Sequence, residues 1–194
     1  MIRLITIIFI LLLCNSEVFA KSPPPGTGAD DVPANILIML DTSGSMNTTI
    51  TMGDSQYPID FDFDSAGNIY VAKYYDVVEK YDSSGQFLLQ WGGYTSPPTN
   101  GSFDLISSIA VDSQDYVYVT DRINARVQKF DSSGNFIWAA SLSSTPAQGI
   151  AIDSSDNVYV LNGIGKIEKF SSSGTLLASW NNNNGGRSVA IDSS

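Results

Sequence analysis

Asp64-Ser-Ala-Gly-Asn-Ile-Tyr-Val-Ala72 is followed by Asp112-Ser-Gln-Asp-Tyr-Val-Tyr-Val-Thr120 and Asp153-Ser-Ser-Asp-Asn-Val-Tyr-Val-Leu161, and Asp192-Ser-Ser194 begins the same phrase again. The copies start 48 residues apart (64 to 112), then 41 (112 to 153) and 39 (153 to 192). A period near 40 with segments rich in Val, Ile and Tyr marks an array of small β-sheets. One unit of such an array cannot bury its own faces and must stack on its neighbours.

Each copy parses into four short strands. In the second these are 107–111, 116–120, 126–130 and 136–140. Tight turns separate them. The first is Asp112-Ser-Gln-Asp115 and the third is Asp131-Ser-Ser-Gly134, with Gly where a positive φ is needed. Third turns elsewhere read Asp82-Ser-Ser-Gly85 and Ser171-Ser-Ser-Gly174. The second strands carry Ile69, Val117 and Val158 on one face and Tyr70, Tyr118 and Tyr159 on the other. A sheet apolar on both faces fits between two neighbouring sheets, as in a propeller blade. The expected fold is therefore all-β. It is a partial β-propeller of about three four-stranded antiparallel blades plus the first strand of a fourth, with a short separate strand before it. Lys80, Lys129 and Lys169 recur in the third strands, two of them beside Glu79 and Glu168. They are expected to snorkel at the blade flanks.

The net charge is −10, and 17 of the 20 acidic residues are Asp. Much of this acidity is turn chemistry, because a short carboxylate bonds nearby backbone N–H groups. An acidic surface nevertheless opposes a phosphate backbone, so nucleic acid is not an expected partner. The chain contains no His, which removes the commonest general base and a common zinc ligand.

Residues 1–20 read as a secretory signal. Arg3 precedes an apolar run from Leu4 to Leu13, interrupted only by Thr6, and Val18-Phe19-Ala20 offers small residues for cleavage. The run is short for a bilayer span, so no transmembrane helix is expected in the mature chain. Cys14, the single cysteine, would leave with the signal. The expected location is outside the cell or on its surface. Residues 21–33, rich in Pro and Gly, form a linker. Residues 34–56 begin with Ile36-Leu-Ile-Met-Leu40, the pattern of a strand buried on both faces, and continue into Asp41-Thr-Ser43-Gly-Ser45. A carboxylate and two hydroxyls are hard oxygen ligands, which makes Asp41, Ser43 and Ser45 candidates for Mg²⁺ or another divalent cation.

Residues 57–194 resemble NHL repeats. The second copy carries the resemblance most fully, in Ile109-Ala-Val-Asp112, Val117-Tyr-Val-Thr-Asp121 and Asn124-Ala-Arg126-Val-Gln-Lys-Phe130. The resemblance implies a propeller, commonly of six blades. The Asn35 to Met46 segment resembles the opening of a von Willebrand factor type A domain, whose Asp-x-Ser-x-Ser loop holds a divalent cation. The helix that this family places next is not matched by Asn47-Thr-Thr-Ile-Thr-Met-Gly53. On this reading the sequence is a fragment of a longer protein. An unfinished array exposes an apolar sheet face and an unpaired edge, so end-to-end self-association is expected.

The favoured function is non-enzymatic binding of a protein or glycan, of an adhesion type. The loops joining second to third strands are Lys73-Tyr74-Tyr75-Asp76, Asp121-Arg122-Ile123-Asn124 and Asn162-Gly-Ile-Gly165. The inter-blade loops are 92–101, 141–148 and 181–186. Both sets share one face of a propeller. Their Tyr, Asn, Ser and Gly suit adaptable contacts, with Tyr74, Tyr75, Asp76, Asp121, Arg122, Asn124 and Asn162 as candidate ligand residues. The alternative is an NHL-like lyase or lactonase holding a metal in its channel. No catalytic residue is nominated, since no nucleophile–base pair is visible.

Overall fold

The computed structural model describes residues 58–181 and 186–192. The expected signal, linker and type A-like strand, with Asp41, Ser43 and Ser45, lie outside the described residues. Within them are twelve strands in three sheets. Blade one holds β1 (Pro58–Phe63), β2 (Ile69–Lys73), β3 (Val77–Tyr81) and β4 (Phe87–Gly92). Blade two holds β5 (Ile106–Val111), β6 (Val117–Asp121), β7 (Arg126–Phe130) and β8 (Phe136–Ser141). Blade three holds β9 (Ala147–Ile152), β10 (Val158–Asn162), β11 (Lys166–Phe170) and β12 (Leu176–Asn181). Neighbours in chain order are antiparallel within each sheet. The three-blade expectation holds, and the strands lie within a residue or so of their expected places.

Local turn chemistry explains the boundaries. Asp64 Oδ1 accepts the N–H groups of Ala66 and Asn68 at 3.1 and 2.8 Å, closing the β1–β2 turn. Asp112 and Asp153 repeat this with Gln114 and Tyr116, and with Ser155 and Asn157. These bonds terminate one strand and aim the next, as Asx-turns do.

The register then builds the same cluster in every blade, buried in blades one and two and half-buried in blade three. Tyr70 pairs with Lys80, Tyr118 with Lys129 and Tyr159 with Lys169. Directly opposed residues share a face, so each ammonium lies 4.7–4.8 Å from its tyrosine ring centroid. The tyrosine hydroxyl and the ammonium both turn to the first-turn carboxylate. Tyr118 Oη donates to Asp112 at 2.8 Å, and Lys129 Nζ lies 3.5 Å from that carboxylate. Lys80 pairs with Asp64 and Lys169 with Asp153. This corrects the snorkelling expectation. Lys80 and Lys129 are buried, and their partners are these aspartates. Glu79 instead pairs with Lys73 at 2.6 Å, and Glu168 with Lys166. Burial costs a lysine less when a carboxylate and an aromatic face receive it.

The first strands β1, β5 and β9 lie side by side at the inner edges of the blades. An inner edge exposes N–H groups that need acceptors. β1 supplies them for β5: Asp60 accepts Ile109 N–H at 3.0 Å and Asp62 accepts Val111 N–H at 2.8 Å. Tyr118 and Val119 are both fully buried, on opposite faces of β6. The core between blades one and two includes Tyr70, Phe103, Ile109, Val117 and Phe130. That between blades two and three includes Tyr118, Val127, Ile150, Val160 and Phe170. The fourth-copy residues 186–192 form no strand ladder. They run past Gly149, where an added Cβ would come within 2.9 Å of Ser188 Cα. A ladder needs a hydrogen-bonded second strand, and among the described residues none pairs with them.

Candidate interaction face

The second-to-third-strand loops and the inter-blade loops do share one face, because they are bonded to one another. Gly93 N–H donates to Asp76 O at 2.5 Å. Arg122 N–H donates to Leu105 O and Ile123 N–H to Asp104 O, both at 3.0 Å. Leu142 N–H reaches Ala125 O at 2.7 Å, and Gly163 N–H reaches Pro146 O at 2.7 Å.

Third-strand side chains anchor the inter-blade loops from below. Gln128 is fully buried, accepting Gly101 N–H at 2.9 Å and donating to Ser102 O at 2.7 Å. Arg126 donates to Thr99 O and Ser102 O, and its Nε to Asp121 at 2.7 Å. In blade three Glu168 accepts Ser143 N–H at 3.0 Å and Lys166 donates to Ser143 Oγ at 2.9 Å.

This scaffold absorbs several candidate ligand residues. Asp76 is buried, has a positive φ of 67° and accepts Leu105 N–H. Burial, with Asp104 adding to it, pushes its carboxyl above the ordinary range. Asp121 has no exposed surface and binds Asp104 N–H, Asn124 and Arg126. Asn124 is half-buried on Asp121. Asn162 is also fully buried and accepts Lys166 N–H at 3.0 Å. These groups hold the loops and do not meet solvent freely. Buried Nδ2 of Asn162 and Nε of Arg122 have no hydrogen-bond partner among the described residues. Among the described residues no cluster of three His, Cys, Asp or Glu could hold a metal.

Tyr74 and Tyr75 are the two candidates that are exposed, and they pack edge to face. The structure adds three residues that the sequence reading passed over. Ile123 is 47 % exposed, Ile164 60 % and Tyr94 61 %. Tyr75, Ile123 and Ile164 each stand second after the end of β2, β6 and β10. An apolar residue at one loop position in three blades was legible in the alignment.

Three sheets side by side, each ordered from an inner first strand to an outer fourth, decide the architecture. The fold is that of a β-propeller. No protein-family model matches the chain, and no curated protein matches it. Solved structures do. The WD40 repeats of RRP9 superpose with a TM-score of 0.60 at 13 % identity, over 69 % of this chain and 41 % of that one. U3-55K gives 0.60 at 13 % identity, over 69 % and 42 %. Hydrazine synthase of Kuenenia stuttgartiensis gives 0.59 at 15 % identity, over 75 % and 42 %. The chain thus spans less than half the length of these propeller-type chains, and the likeness is one of fold.

Proposed function

We propose that the protein is an exported, non-enzymatic interaction module, with its loop face as the contact surface for another protein. The observation that carries this is the recurrence of an exposed apolar side chain, Tyr75, Ile123 and Ile164, at the same loop position of successive blades. Water-exposed apolar groups repeated on one rigid face mark an interaction surface. The internal bonding of the loops supports the reading. A face already ordered loses less entropy on binding. The isoleucines favour an apolar protein surface; a glycan would stack on Tyr74, Tyr75 and Tyr94. The signal-like pattern of residues 1–20 supports export of such a module. Asp41, Ser43 and Ser45 form a separate proposal, a Mg²⁺-type site. Its test is Mn²⁺ titration by calorimetry, with binding lost in Asp41→Ala.

The loop face is tested with labelled chain, titrated onto the surface of the producing cells and onto a glycan array. Tyr75→Ser, Ile123→Ser and Ile164→Ser combined should abolish cell-surface binding at an unchanged melting temperature. Protease treatment of the cells should do the same. Binding that survives the triple variant removes this face, and cell-surface binding that survives protease, with binding to the array, makes the ligand a glycan.

A further inference from the structure

Blade two departs from its neighbours where the first turn meets the second strand. Blades one and three place Asn68 and Asn157 there. Each amide donates to its turn carboxylate, Asn68 Nδ2 to Asp64 at 2.8 Å and Asn157 Nδ2 to Asp153 at 2.9 Å. Blade two has Tyr116, which forgoes that bond. Its ring lies under Lys129 Nζ instead, 3.9 Å from the centroid. A second departure is Trp138. Lys129 faces it across the β7–β8 ladder, where Lys80 faces Leu89 and Lys169 faces Ala178. A third is Gln114, which replaces Ala66 and Ser155 of the other first turns.

These departures converge. Lys129 Nζ and Trp138 Nε1 both donate to Ser172 O of blade three, at 3.2 and 3.1 Å. A lysine and a tryptophan of one blade thus form a socket for a turn of the next. Beside it Gln114, Tyr116, Lys129, Trp138, Ser172 and Ser173 line a groove of about 370 Å³. The groove lies wholly between blades two and three. It sits among first and third turns, at the opposite end of the strands from the loop face.

Its walls are chemically mixed. The rings of Tyr116 and Trp138 are half-buried, each with part of its surface open to the groove. Gln114 spends Nε2 on Asp156 at 3.3 Å and keeps Oε1. Tyr116 Oη and Ser172 Oγ have no hydrogen-bond partner among the described residues. The charge of Lys129 is already met by Asp112 at 3.5 Å, and the Asp156 carboxylate stands behind Gln114. Two carboxylates against one ammonium oppose an anionic ligand. What fits is a small neutral molecule with an apolar face for the rings and hydroxyls for the amide and serines. We infer that this groove binds a neutral pyranose unit of a glycan. Tyr116 and Trp138 take the C–H face of the sugar, and Gln114 and Ser172 its hydroxyls. The site is separate from the loop face and does not depend on what that face binds.

The test is a titration of the isotope-labelled full chain with glucose, galactose, mannose and N-acetylglucosamine, and with glucuronate as the anionic control. It is followed at the indole N–H resonance of Trp138, assigned with Trp138→Phe. At least one neutral sugar should shift that resonance saturably and leave the Trp91 indole in place. Tyr116→Asn and Gln114→Ala restore the residues of blade one, so both should fold with an unchanged melting temperature. Tyr116→Asn should weaken binding at least about tenfold, as for an aromatic anchor. Should it melt early, Gln114→Ala is read in its place and should weaken binding in the same direction. The combined Tyr75→Ser, Ile123→Ser and Ile164→Ser chain should bind the sugar as the wild type does. The proposal is overturned if no neutral sugar moves the Trp138 indole, if Tyr116→Asn binds undiminished, or if glucuronate binds more tightly than every neutral sugar.

Discussion

The carboxylate of Asp156 accepts both the backbone N–H of Ser113, at 3.0 Å, and its hydroxyl, at 2.9 Å. Asp156 lies in the β9–β10 turn of blade three, and Ser113 in the matching β5–β6 turn of blade two. Asp115 holds Ser65 of blade one in the same way, at 2.7 and 2.8 Å. Both aspartates have positive φ, 60° and 65°, where Gly67 stands in blade one at 78°. An L-residue there costs about 1–2 kcal/mol, and the inter-blade clamp offsets it.

Asp156→Gly should therefore destabilise the chain even though it relieves backbone strain. Losing the charge-assisted bonds costs about 2 kcal/mol, against about 1 kcal/mol regained. Partial desolvation opposes ionisation of Asp156, but the Ser113 and Gln114 donors hold its carboxyl below the ordinary 3.8. A depressed pKa favours the charged form in the fold. Its contribution is present above the unfolded value and lost as pH falls through the folded one. Asp153 is depressed too, by Asn157, Lys169 and Ser155 against its desolvation. Asp60 and Asp76 are raised by burial and act oppositely, since protonation relieves them. Melting temperature should thus be level or rise slightly as pH falls toward about 4, then drop below it. Asp156→Gly should flatten that drop in thermal melts.

Gly134→Ala and Gly101→Ala separate backbone strain from packing. Their φ values are 79° and 84°, nearly equal. The Cβ at 134 would press within 2.8 Å of Trp91, while at 101 nothing lies within 4 Å. Urea titration should give about 1 kcal/mol for Gly101→Ala and about 2–4 kcal/mol for Gly134→Ala.

Tyr118→Phe removes the buried 2.8 Å bond to Asp112 and should cost about 1–2 kcal/mol in the same titration. Burial and the adjacent carboxylates, Asp64 and Asp112, raise the hydroxyl pKa of Tyr70 and Tyr118 well above the ordinary 10.0. The native state then holds protons that the unfolded state has lost. Stability should fall as pH rises above 10. In a spectrophotometric titration two tyrosines should ionise only as the far-ultraviolet dichroism collapses.

Export predicts a mature chain that begins at Lys21. N-terminal sequencing of protein recovered outside the cell should show Lys-Ser-Pro-Pro-Pro. Retention of Met1 in a cytoplasmic product would contradict it.

The repeats, the strands and the turns were legible in the sequence because their causes are local. An Asp that bonds N–H groups two and four residues on, a Gly at positive φ and alternating Val and Tyr act within a few residues. The lysines were misjudged for the converse reason. The aspartate that holds Lys129 is 17 residues away and the carbonyl it grips is 43 away. Asp76, Asp121 and Asn162 have the composition of a binding loop, but register buries them as braces for the inter-blade loops. Exposure of Tyr75, Ile123 and Ile164 is likewise a tertiary outcome. Only the stacking of blades decides which polar groups are spent inside the fold and which apolar ones are left in water. The sequence by itself determined the unit, since a strand and its turn answer to neighbours in the chain. The tertiary structure decided the interfaces, since a Trp–Lys socket exists only where one blade meets the turn of another.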